Sequence, residues 1–169
     1  ERNCDCTQLS DVWAPGSVWN GAGTVGFRAS TGSRAMLENG SADNCLSGVA
    51  AGASVSVNVD TFSAQNCSLI GIDSTGSCSV EAYESNVSGS HIGLRARLGA
   101  MVYAENAIAN NCTNMSVSAE GGGTIIFNNS AIANNAKNEG LFASGGGVIV
   151  ANGATVTGCD INLRANLGG

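Results

Sequence analysis

Hydrophobic positions in this chain recur on two scales. Within short stretches, small or apolar residues alternate with polar ones, the period of a strand with one buried face. Over longer distances a four-residue word of glycine, apolar, variable and small residues returns as GFRA at 26, GVAA at 48, GIDS at 71, GLRA at 93, SVSA at 116, GLFA at 140 and NLRA at 162. These starts are almost evenly spaced, and the interval varies by no more than two positions. Self-similarity at a fixed period marks a stack of repeats, each covering the apolar face of the last.

The register predicts three short strands per repeat. The first turns Phe27, Val49, Ile72, Leu94, Val117, Leu141 and Leu163 inward. The second turns in Ala35, Val57, Val80, Val102, Ile126 and Ile149, and two places on Leu37, Val59, Ala82, Ala104, Asn128 and Ala151. The third carries Ala42, Ala64, Val87, Ala109, Ala133 and Val156. A column of Cys45, Cys67, Ser90, Cys112, Ala136 and Cys159 follows, each preceded by Asn or Gly, with a one-residue insertion assigned to Gly121–Gly123. The expected fold is all-β: a right-handed parallel β-helix over 23–169, of about six coils of about 22–24 residues. At a strand spacing of about 4.8 Å the rod is roughly 30 Å long.

Residues 1–22 fall outside this register and read as an N-terminal cap or linker, holding Trp13, Trp19 and the only proline, Pro15. Gly168-Gly169 stands one strand into a further coil. An unpaired edge there leads to the expectation that the natural protein continues or that another chain meets it.

Composition agrees: 24 glycines against one proline suit corners between continuously hydrogen-bonded strands. Thirteen acidic residues against seven basic ones make nucleic acid a poor partner. No apolar run approaches the roughly 20 residues of a membrane-spanning helix. The cysteine column reads as buried thiols acting as small hydrophobes, since in-register parallel neighbours rarely bridge. Cys4-Asp5-Cys6 is too sparse for zinc, with the single histidine, His91, far off on a solvated corner; a disulfide between these two cysteines stays open. No cofactor or metal is expected, and no catalytic constellation assembles. Gly121–Gly123 and Gly145–Gly147 lack the Lys-Ser/Thr and helix of a phosphate loop.

Outward positions carry the candidate chemistry. The second strand exposes Glu38, Asp60, Glu81, Tyr83, Tyr103, Glu105 and Phe127 on one lateral face. Aromatic rings stack on the apolar faces of sugars while carboxylates accept their hydroxyl protons, so these are carbohydrate-binding candidates. The alternatives are a solvated acidic face or a packing face between subunits. Glu38 and Asp60 fall in adjacent coils, near enough for a glycosidase pair. On the first strand Asp73 and Arg95 should form a surface ion pair. Ile108 above Ile132, and Phe142 on another face, are candidates for contact between copies of the rod.

The runs GLRARLGAMVYAENAIANNC and GLFASGGGVIVANGATVTGC resemble the β-helical parts of bacteriophage tail fibres and tailspikes. The resemblance covers about residues 23–169 and rests on repeat style. It implies a structural and receptor-binding module of the virion tail, extracellular and homotrimeric, touching other tail proteins and host surface polysaccharide. Tailspike depolymerases have longer helices with inserted loops, and this chain has few insertions, so binding is expected before catalysis. The alternatives are a polysaccharide hydrolase or lyase using Glu38, Asp60, Glu81 or Glu105, and a secreted adhesin or capsid-decorating protein.

Overall fold

The computed structural model describes residues 4–6, 11–21, 23–166 and 168. Two parallel sheets run the length of a β-solenoid of about seven turns. The first sheet stacks, in chain order, β1 (Cys4–Cys6), β3 (Val25–Ser30), β5 (Ser47–Gly52), β7 (Ile70–Thr75), β9 (Ile92–Arg97), β11 (Met115–Glu120), β13 (Glu139–Ser144) and β15 (Ile161–Asn166). The second stacks β2 (Asp11–Trp13), β4 (Arg34–Met36), β6 (Ser56–Asn58), β8 (Ser79–Glu81), β10 (Met101–Tyr103), β12 (Thr124–Ile126) and β14 (Val148–Val150).

The first-sheet register matches the repeat word: Phe27, Val49, Ile72, Leu94, Val117, Leu141 and Leu163 are successive partners. All but Leu163 are buried; Leu163 lies on β15, which among the described residues has a strand neighbour on one side only, and is 70% exposed. The expectation that 1–22 stands outside the register is corrected for the described residues of that segment, 4–6 and 11–21. Cys4 pairs with Phe27, Val12 with Ala35 and Val18 with Ser41, each partner one full repeat further along, so these residues belong to a first coil. Trp19 of that coil packs on Phe27 and Phe62, with ring centroids 5.6 and 6.4 Å apart.

The expected third strand is a column of single bridges running Val18, Ser41, Ser63, Asn86, Ile108, Ile132, Thr155. It lies between two corners of positive φ, for example Asn39 and Asn44, or Thr61 and Asn66. Corners so close together leave no room for a longer ladder. Its inward residues Ala42, Ala64, Val87, Ala109 and Ala133 are nonetheless fully buried.

The corner column is left-handed throughout: Asn44, Asn66, Gly89, Asn111, Asn135 and Gly158 all have φ between 54° and 73°. Asn and Gly are the residues that tolerate this region. The glycines that open the repeat word obey a different constraint. A Cβ on Gly48 would stand 2.6 Å from the Ala64 Cβ and 2.7 Å from the Gly71 carbonyl oxygen. Gly48 has no positive φ, so what excludes a side chain there is the neighbouring column.

The second sheet corrects the placement of the insertion. Tyr103 pairs with Ile126 and Ile108 with Ile132, so the offset between partners grows by one and the extra residue lies between 126 and 132. The turns Arg97–Ala100 and Glu120–Gly123 are equal in length, each closed by a bond from its last N–H to its first carbonyl. At the other corner the Ser130 N–H donates to the Asn106 side chain at 3.2 Å. Ile125 and Phe127 therefore point inward and are fully buried, whereas Ile126 and Asn128, expected inside, are half-buried on the outer face.

Candidate functional site

The outer face of the second sheet has two adjoining columns. One runs Trp13, Met36, Asn58, Glu81, Tyr103, Ile126, Val150. In the other, backbone bonds put Glu38, Asp60, Tyr83 and Glu105 in successive coils; the Val59 N–H, for instance, donates to the Glu81 carbonyl and the Ala82 N–H to the Tyr103 carbonyl. Six of the seven expected carbohydrate-binding candidates thus share one surface. Phe127 is the exception: it is 0% exposed and belongs to the core.

Side-chain amides hold the carboxylates in place. Asn58 Nδ2 donates to Asp60 Oδ2 at 3.0 Å and to Glu81 Oε2 at 3.2 Å. Asp60 Oδ1 accepts the Tyr83 N–H at 3.0 Å, and the Asp60 N–H donates to Asn58 Oδ1 at 3.0 Å. Glu105 Oε2 accepts from Asn129 Nδ2 at 2.6 Å. Burial, followed by the charges of Glu81, Glu105, Asp60 and Tyr103, raises the Tyr83 phenol above its ordinary pKa. Glu81, Glu105 and Asp60 thus act on the Tyr83 hydroxyl in the same sense as burial, and less strongly.

Asn58, Asn129 and Trp13 are members of this face that sequence reasoning missed. Trp13 is 74% exposed and in register with Met36, hence with Asn58. Its signal was the one-repeat spacing between Val12 and Ala35, hidden because the first coil lacks the glycine word.

The first-sheet face is different in charge. Asp73 and Arg95 pair side by side, with Nε donating to Oδ1 at 3.0 Å and Nη2 to Oδ2 at 2.8 Å. At 15% and 17% side-chain exposure this is more covered than the surface pair expected. Burial works to lower the Arg95 pKa, but the hydrogen bonds and charge of Asp73, with Glu120, outweigh it and raise the value. Arg97 stands 3.8 Å from Asp73 and donates to Thr75 Oγ1 at 3.0 Å. Phe142 sits half-buried between Ser118 and Arg164 in the same column. Ile108 and Ile132 are in register and half-buried on the bridge column, away from Phe142.

His91 lies on a corner, its Nδ1 3.1 Å from Thr113 Oγ1 and its Nε2 3.4 Å from Asn114 Nδ2. Among the described residues no group of three or more His, Cys, Asp or Glu side chains is arranged to hold a metal. Burial pushes the Cys67 and Cys112 thiols up to about 11, against hydrogen bonds that work the other way. Such thiols are protonated near neutrality and are poor nucleophiles.

These ladders define a parallel β-solenoid with a lateral face of carboxylates, amides and aromatic rings, an architecture consistent with a structural or binding module. Comparison with protein-family models, curated proteins and solved structures finds no match for the chain.

Proposed function

We propose that the chain is a rigid structural module that binds a surface glycan along its second-sheet face without cleaving it. The observation that carries this reading is the single continuous face formed by Glu38, Asp60, Glu81, Tyr83, Tyr103 and Glu105. Tyrosine rings offer stacking surface, and carboxylates fixed by Asn58 and Asn129 offer acceptors for hydroxyl groups. Asp60, one half of the conceivable glycosidase pair with Glu38, has both oxygens engaged in holding the ladder, which favours binding over hydrolysis.

In this reading the module belongs to an extracellular appendage of the phage tail-fibre kind. It acts as a homotrimer beside other tail proteins, with Ile108, Ile132 and Phe142 against sister copies and host polysaccharide as the ligand. The test is incubation with candidate bacterial surface polysaccharides, followed by both retention and chain-length measurement. Retention with unchanged glycan length is expected, and Tyr83→Ala or Tyr103→Ala should each weaken it by roughly tenfold or less, about 1.4 kcal/mol. Shortened glycans would overturn the non-catalytic reading. A stable monomer in light scattering would overturn the trimer.

A further inference from the structure

Four of the seven basic side chains of this solenoid gather on one sheet. Arg28, Arg95, Arg97 and Arg164 lie on strands of the first sheet, where Arg95 and Arg97 meet Asp73, and Arg164 meets Glu139. Strands of the second sheet carry one guanidinium among the described residues, Arg34, on β4. Yet Glu38, Asp60, Glu81 and Glu105 come from four successive coils there, with Glu84 on the adjoining corner. Among the described residues none of these five carboxylates has a Lys, Arg or His within 4.0 Å. Their hydrogen-bond donors are neutral amides and backbone N–H groups, which fix position without neutralising charge.

Two tyrosine rings stand among these carboxylates. Tyr103 is the Cα partner of Glu81, and Tyr83 lies in the column of Asp60 and Glu105. Glu81, Glu105 and Asp60 add to burial, the larger cause, in raising the Tyr83 phenol. Beyond neutral hydroxyl groups, aromatic faces and unneutralised carboxylates both favour an ammonium, which each ring attracts through its quadrupole and each carboxylate through its charge. A uronic acid, phosphate or sialic acid brought to this face would meet like charge, which costs several kcal/mol at close contact.

Resting on the glycan-binding reading above, we propose that the second-sheet face selects an amine-bearing glycan, a chain of amino sugars with free ammonium groups, lying along the solenoid axis. Carboxylates from four coils, each about 4.8 Å from the next, give the ligand a track of roughly 14 Å. The attraction is electrostatic and weakens as salt shortens the Debye length from about 10 Å to about 3 Å.

The test measures binding of the full chain to three short oligosaccharides of equal length: glucosamine with free amines, its N-acetylated form and a uronic acid oligomer. Expected is binding of the free amine at least about tenfold tighter than the acetylated form, lost at high salt, with no binding of the uronic acid. The double variant Glu81→Gln/Glu105→Gln should erase the preference, and Glu120→Gln/Asp160→Asn, which removes the same charge elsewhere, should leave it intact. Equal loss in both variants would reduce the effect to net charge and overturn the inference. Equal binding of acetylated and free forms, or binding of the acidic one, would overturn amine selection while leaving glycan binding standing. Failure to bind any oligosaccharide, or any bacterial surface polysaccharide, would overturn both.

Discussion

Gly48 and Gly52 lie on the same strand, β5, and neither has a positive φ, so a Cβ at either site is compatible with the backbone. In a free setting Gly→Ala at such a site stabilises by about 0.4–1 kcal/mol, because the unfolded chain loses freedom. Gly52 meets that condition: its Cβ would find only the Thr75 carbonyl oxygen, at 3.7 Å. Gly48 does not, with Ala64 Cβ at 2.6 Å, Gly71 O at 2.7 Å and Ala42 O at 3.2 Å. Carbon atoms rest about 3.5–4.0 Å apart, so the first contact is roughly 1 Å too close. Two of the three obstacles are main-chain oxygens, and the third is a Cβ fixed to its backbone. Relief therefore means moving one coil against the next, an overpacking cost of about 1–3 kcal/mol. For a chain of this size Gly48→Ala should lower Tm by about 2–12 °C, while Gly52→Ala leaves it unchanged or raises it by up to about 4 °C. Paired circular-dichroism melts at one scan rate read the difference. Gly48→Ala melting at or above Gly52→Ala would refute the account of the glycine column as a packing requirement.

Phe127→Ala should cost about 3–5 kcal/mol in urea unfolding, and Ile126→Ala under about 1, since the first empties the core and the second only trims an outer ladder. The reverse order would restore the register expected from the sequence. Cys67 and Cys112 titrate at about 11 in the folded chain, above their unfolded value near 9.0. Their contribution is thus fully present below about pH 9 and is lost as pH rises toward 11; Cys67→Ala/Cys112→Ala should flatten that part of a stability–pH profile. Asp73→Asn should destabilise by about 1.5–3 kcal/mol, because Arg95 loses the charge on both of its acceptors. Asp160→Asn, which removes no ion pair within 4.0 Å among the described residues, serves as its control.

Much of this solenoid is legible in one dimension because neighbours in space are one repeat apart in sequence. Each inward column is read by adding the period, and the Asn/Gly corner by asking which residues accept positive φ. The first coil escaped that reading. Asn3-Cys4-Asp5-Cys6 stands one repeat before Gly26-Phe27-Arg28-Ala29, but has neither glycine nor a large apolar residue to announce it. The candidate face was legible for six residues and wrong for one. Thr124-Ile125-Ile126-Phe127 offers apolar residues at both parities, so alternation alone cannot choose which side is buried.

The sequence by itself determined the period, the all-β stacking and the inward identity of most positions, since a recurring small or apolar residue has one consistent use in a stacked coil. Only the tertiary structure decided where the extra residue of the sixth coil goes. A solvated corner closed by the Asn106 side chain absorbs it. The ladder one strand earlier cannot, because a one-residue slip there would turn Phe127 to solvent and break the bonds to both neighbouring coils. Tertiary structure likewise decided that Asn58 bridges Asp60 and Glu81, a contact between coils that depends on outward side chains meeting across the ladder.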